Sequence, residues 1–177
     1  MSIRGLPIAF LFCFACADGV LKNTDGDIPP PTGQGDTDCG DNNPEVYDIT
    51  ISNNGLAQFG EGSQVTEWPS VLIEVSADDL DGDMTSFILD VWYDTNPDGV
   101  VSTGSTSVVS RVDTVGGDDC SAPAVTGSAI LAITGNPPMD QIIEFGAIIT
   151  DMSGNASNDG VPFTQTFHTP DASGNVP

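Results

Sequence analysis

Short runs in which apolar and polar residues alternate one by one most constrain this chain. Ser70 to Ala77 places Val71, Ile73 and Val75 on one face, and Thr85 to Asp94 does the same with Phe87, Leu89, Val91 and Tyr93. Ile142 to Thr150 repeats the pattern with Ile143, Phe145, Ala147 and Ile149. A period of two belongs to a half-buried strand, because successive side chains leave opposite faces of a pleated backbone. Val46 to Ser52, Val101 to Asp113, Val125 to Ile133 and Val161 to His168 add weaker runs of the same kind. Asn54-Gly55, Asp98-Gly99 and Ser153-Gly154-Asn155 punctuate them as turn signals. No stretch carries a 3.6-residue apolar stripe. Seven strands over roughly 125 residues predict an all-β, seven-stranded antiparallel sandwich spanning residues 44–169.

Charge narrows the function classes. Among 177 residues there are 26 Asp and Glu against 3 Lys and Arg, a formal charge of −23. Such a chain repels nucleic acid and anionic lipid surfaces, both of which require clustered Lys or Arg. Asp outnumbers Glu by 21 to 5, and Asp favours turns and loops that chelate hard cations. The single histidine, His168, cannot build a His-rich metal cluster and reads as a surface residue. There is no G-x-S-x-G elbow, no phosphate loop and no Cys placed with His for nucleophilic catalysis, so a non-enzymatic protein is expected.

The first residues read as an export signal. Arg4 supplies a positive start, and Leu6 to Phe12 begins an apolar stretch too short to span a bilayer. Cys13-Phe14-Ala15-Cys16 follows. Ala15-Cys16 resembles the bacterial lipoprotein signal, in which a small residue precedes a cysteine that is acylated and becomes the mature N-terminus. Cys13 stands where that family usually has Leu. The resemblance implies a leader over residues 1–15, lipidation of Cys16, and an exported protein held at the bacterial envelope, at the outer membrane or cell surface. Residues 16–43 contain Pro29-Pro30-Pro31 and repeated Asp and Gly, cannot build a core, and are expected to form a disordered acidic tether. Residues 170–177 are expected to form a flexible tail.

With Cys16 acylated, Cys39 and Cys120 remain as an even pair in an oxidising compartment, which predicts a disulfide. Closing a loop of about 80 residues contributes on the order of 4 kcal/mol in the chain-entropy model.

Three short motifs resemble immunoglobulin-like and cadherin-like surface modules. Ala77-Asp78-Asp79-Leu80-Asp81-Gly82-Asp83 looks like their A-x-D-x-D-G-D corner. Thr150-Asp151-Met152-Ser153-Gly154-Asn155 looks like their last hairpin. Asp41-Asn42-Asn43-Pro44 is similar to the linker before a first strand. The resemblance implies an immunoglobulin-like sandwich acting in adhesion or binding of a protein or glycan.

Strand parity then locates the acids. Consecutive antiparallel strands reverse direction, so the start of the first strand and the second–third, fourth–fifth and sixth–seventh loops share one pole. That pole is expected to collect Asp41, Asp78, Asp79, Asp81, Asp83, Asp118, Asp119, Asp151 and Asp159, with Cys39 and Cys120 beside them. Glu61, Glu67, Asp94, Asp98 and Asp140 belong to the other. Crowded carboxylates repel, and Ca²⁺ relieves the repulsion by accepting six to eight oxygen ligands from flexible loops. The expected ligands are Asp79, Asp81, Asp83 and Asp151, with Asn43. An EF-hand does not fit the same residues: Met84 stands at the sixth position and Asp90 at the twelfth. The competing structural reading is a turn made by Asp and Gly alone. The alternative function is a carbohydrate-binding or accessory module of a secreted hydrolase system, resting on an exposed Trp92 or Tyr93. A Trp in that position more often packs beneath a neighbouring strand or loop, and Trp68 before Pro69 is expected to cap the core.

Overall fold

A computed structural model describes residues 39–40, 42–60, 65–116 and 120–177. The expected leader, Cys16 and most of the expected tether lie outside the described residues, as do Asp41, Glu61, Asp118 and Asp119.

Seven strands follow in order: β1 (Glu45–Phe59), β2 (Thr66–Asp78), β3 (Ser86–Asp94), β4 (Thr106–Thr114), β5 (Ala124–Ala132), β6 (Ile142–Asp151) and β7 (Phe163–His168). They form two antiparallel sheets, one ordered β1-β2-β5 and the other β4-β3-β6-β7. The fold is therefore the all-β, seven-stranded sandwich that the alternation implies. One turn of 3₁₀ helix, Ser157–Gly160, lies between β6 and β7.

The alternating residues make the core. Val71, Ile73 and Val75 of β2 face Phe87, Leu89 and Val91 of β3 and Ile143, Phe145 and Ile149 of β6, and all are buried. Burying a side chain of this size contributes about 1.5–3 kcal/mol. Packing is close enough that a Cβ on Gly127 of β5 would stand 3.0 Å from Phe87 and 3.1 Å from Leu89.

Three boundaries differ from the sequence reading, each for a local reason. Asn54-Gly55 makes a β-bulge inside β1 rather than a turn. Gly55 takes φ +69°, and the register with β2 shifts between Asn53 and Gly55. The β1–β2 hairpin consequently continues through Leu56–Pro69, Ala57–Trp68 and Phe59–Thr66 pairs, beyond the reach of β5. Trp68 is half-buried within this hairpin.

Val101 belongs to a loop rather than to β4. The loop folds over the outer face of β6, where a Cβ on Gly146 would fall 2.7 Å from the Val101 Cβ. The Gly99 N–H donates to Glu144 Oε2 at 2.9 Å. This cover explains why β6 is buried on both faces.

The third difference is the segment after β7, expected to be loose but held at several points. The Asn53 amide donates to the Gly174 carbonyl at 2.9 Å, and the Asp171 carboxylate accepts the N–H groups of Ser173 and Asn175 at 2.8 and 2.9 Å.

A carboxylate-rich pole

Cys39 and Cys120 form a disulfide with a Cα–Cα distance of 5.3 Å, joining the segment before β1 to the loop that leads into β5. This bond draws three loops together. The Gly82 carbonyl accepts the Ala122 N–H at 2.9 Å, and the Asp79 N–H donates to the Pro123 carbonyl at 2.8 Å. Gly82 sits at φ +76°, and a Cβ there would meet the Cys120 carbonyl at 2.9 Å. A side chain at this position would be strained twice, by its φ and by the contact.

The corner after β2 is built around Asp79, which is 2% exposed. Its carboxylate accepts the N–H groups of Asp81 and Asp83, each at 3.3 Å. This is the turn chemistry that favours Asp at such a corner. Asp83 follows, receiving the Ser153 hydroxyl at 3.1 Å on Oδ2, while its Oδ1 is buried without a partner. Asp151 ends β6 and is also 2% exposed. It accepts the Asn155 N–H at 2.8 Å and the Asn155 side-chain amide at 3.0 Å.

Asp79 and Asp151 both act on Asp83. The Asp83 carboxyl is pushed up from 3.8 to about 7, first by burial, then by a hydrogen bond with Asp79 and by the negative charge of Asp151, with the Ser153 hydroxyl pulling the other way. Protonation of Asp83 is thus favoured well above the usual carboxylate range.

The remaining two expected ligands are engaged elsewhere. The Asp81 carboxylate turns toward the segment before β1, accepting the Asn42 N–H at 2.6 Å and the Asn42 side-chain amide. Gly40 lies against it, where a Cβ would stand 2.6 Å from the Asp81 Cγ. The Asn43 amide donates to Asp159 at 2.9 Å instead. Asp159 and Asn158 both adopt left-handed backbone in the turn after β6. Among the described residues, no group of three or more His, Cys, Asp or Glu side chains is set to hold a metal ion.

Two participants were not singled out from the sequence, Asn42 and Ser153. Asn42 is adjacent to the expected Asn43 in the same motif. Ser153 lies in the flagged Ser153-Gly154-Asn155 turn, and its hydroxyl gave no separate signal.

Neither Trp92 nor Tyr93, on which the carbohydrate reading rests, is fully exposed. The Tyr93 ring is 7% exposed, and its hydroxyl donates to the Asn136 side chain. Trp92 is half-buried on the outer face, in register with Gly146, over which Val101 lies. His168 makes a surface pair with Asp140 at 3.2 Å.

No family model, curated protein or solved structure matches the chain.

Proposed function

We propose that this protein is a non-enzymatic binding or adhesion module, exported to the bacterial envelope and anchored there through lipid on Cys16. In this reading the acid-rich pole is the contact surface for a protein or glycan, and Ca²⁺ orders it. The observation that carries the reading is the Asp83 Oδ1, buried and partnerless beside Asp79 and Asp151. Such an atom is normally satisfied, and a cation would supply the missing partner while replacing the proton on Asp83. Asp79, Asp83 and Asp151 would hold the ion. Asp81 and Asn43 would join only by leaving Asn42 and Asp159. Three carboxylates leave coordination positions open for water or for a partner's oxygen, which suits a surface whose order depends on its ligand.

Thermal unfolding of the exported chain in EDTA, then in 5 mM Ca²⁺ or 5 mM Mg²⁺, tests this. A ligand that binds only the folded form stabilises it by RT ln(1 + [L]/Kd). With the Kd of about 0.1–1 mM common in extracellular calcium modules, the gain is about 1–2 kcal/mol, or roughly 3–10 °C in a domain of this size. The Ca²⁺ shift should exceed the Mg²⁺ shift and disappear in Asp83→Ala. Absence of a Ca²⁺ shift in the unsubstituted chain would remove the metal from the reading.

A further inference from the structure

A sandwich of two open sheets has four edge strands, and three of them here are closed or guarded. The β1 edge is capped where the Asn158 side chain bonds both the N–H and the carbonyl of Val46, at 2.8 and 3.2 Å, and again where Asn53 holds Gly174. β7 is only six residues long and lies beside β1. β4 carries Arg111 paired with Asp113 at 2.7 Å. Charged residues, short length and covering segments are the usual means of blocking an edge.

Among the described residues, β5 has none of these. Its nine residues contain no charge and no proline, and the chain carries no charged residue from Cys120 to Met139. Beyond β2, no strand among the described residues pairs with it. Its free hydrogen-bonding groups can be identified from its ends. The Ile133 N–H donates to the Pro69 carbonyl and the Pro123 carbonyl accepts the Asp79 N–H, so odd-numbered residues of this segment bond toward β2. By alternation, the N–H and carbonyl groups of Ala124, Thr126, Ser128, Ile130 and Ala132 point to the open edge.

We infer that β5 is the interface for a second copy of this chain, pairing antiparallel with itself about a two-fold axis at Ser128. The occupant follows from the strand. Ala-Val-Thr-Gly-Ser-Ala-Ile-Leu-Ala is close to self-complementary about its centre. Reversed on itself, it sets Ser128 against Ser128, Thr126 against Ile130 and Ala124 against Ala132, all through outward-pointing groups. On the core face it sets Val125 against Leu131 and Gly127 against Ala129. A two-fold interface needs this self-complementarity.

Charge favours this place over others on so acidic a molecule. Glu74 is the cross-strand neighbour of Ser128 on β2, one strand back from the edge. Across the joined sheets the two copies of Glu74 would lie about 14 Å apart, three strand spacings and beyond the screening length of about 8 Å at physiological salt. The result is a continuous six-stranded sheet, and the inference does not depend on calcium or on the binding role proposed above.

Cysteine trapping of the full exported chain tests it. At a hydrogen-bonded antiparallel pair the two Ser128 Cα atoms are about 5.5 Å apart, within disulfide range. Under mild oxidation Ser128→Cys should give a covalent dimer, with the unsubstituted chain as the blank. Thr126→Cys and Ile130→Cys should give none singly, because each faces a different residue, and should cross-link when combined in one chain. These side chains are exposed, so the fold is not at stake. Independently, Ser128→Pro removes only an N–H that faces solvent in the monomer, and it should convert a sedimenting dimer to monomer. Three results overturn the inference: a monomer at 100 µM, equal trapping at all three positions, or an extended segment of another protein occupying β5.

Discussion

Removing the disulfide offers a quantitative test of how the pole is assembled. Cys39 and Cys120 are separated by 81 positions, and Cys39 precedes the first strand. In the chain-entropy model, reopening a loop of that length returns about 15 cal/mol/K to the unfolded chain, or about 4.5 kcal/mol at 25 °C. The folded state loses something separate. Gly40 and Asn42 are held against Asp81 next to the bond, and releasing them forfeits hydrogen bonds worth about 1 kcal/mol each, less the conformational freedom regained. The expected loss for Cys39→Ser with Cys120→Ser is thus about 4–5 kcal/mol. Urea unfolding of both forms at one pH measures it. The midpoint should fall, and the urea slope should rise, because the uncrosslinked unfolded chain exposes more surface. Asn42→Ala in the oxidised chain isolates the local part and should cost about 1 kcal/mol with the slope unchanged. A disulfide loss below about 1.5 kcal/mol with an unchanged slope would refute the reasoning. It would mean that the segment before β1 is docked by its own contacts and that the bond adds little to them.

Two further outcomes follow from the packing and the charges. The Asp83 carboxyl is raised from 3.8 to about 7 in the fold, so its contribution is fully present below pH 3.8 and is lost as pH rises through about 7. Because Asp83 is only half-buried, the loss is discounted for solvent screening to about 1 kcal/mol; it should appear in metal-free unfolding between pH 4 and 8 as a slope that Asp83→Asn lacks. Gly146→Ala places a methyl 2.7 Å from the Val101 Cβ and 3.0 Å from Pro162, and should cost about 1–3 kcal/mol by calorimetry, with part restored by Val101→Ala.

The strands that were easiest to read were those whose alternation serves a single core. β2, β3 and β6 each put every second residue into the interior, so period two survives in the sequence. The parity of seven reversing strands then brought Cys39 near Cys120 and gathered Asp79, Asp83 and Asp151, although those residues are far apart in the chain. What could not be read depended on contacts with no local signature. Asn54-Gly55 supplies the same positive φ whether the chain turns or bulges, and only the partner strand decides. Val100-Val101 has the composition of a strand, yet it folds across β6 because Gly146 leaves room there. Asn42 and Asn43 are the same residue type one position apart, and the backbone direction after Cys39 selects which reaches Asp81 and which reaches Asp159. The segment after His168 is fixed by an Asp171 turn and by Asn53 from the other end of the chain, a pairing that no window of sequence contains.

The position of the Cys39–Cys120 bond also determines how the domain bears mechanical load. A pull on the chain ahead of Cys39 does not arrive first at Glu45, where β1 could be peeled from β2 one residue at a time. The covalent link diverts part of it to Cys120 and so to the start of β5, on the opposite side of β2. Tension applied ahead of Cys39 would thereby be shared between both flanks of the three-stranded sheet.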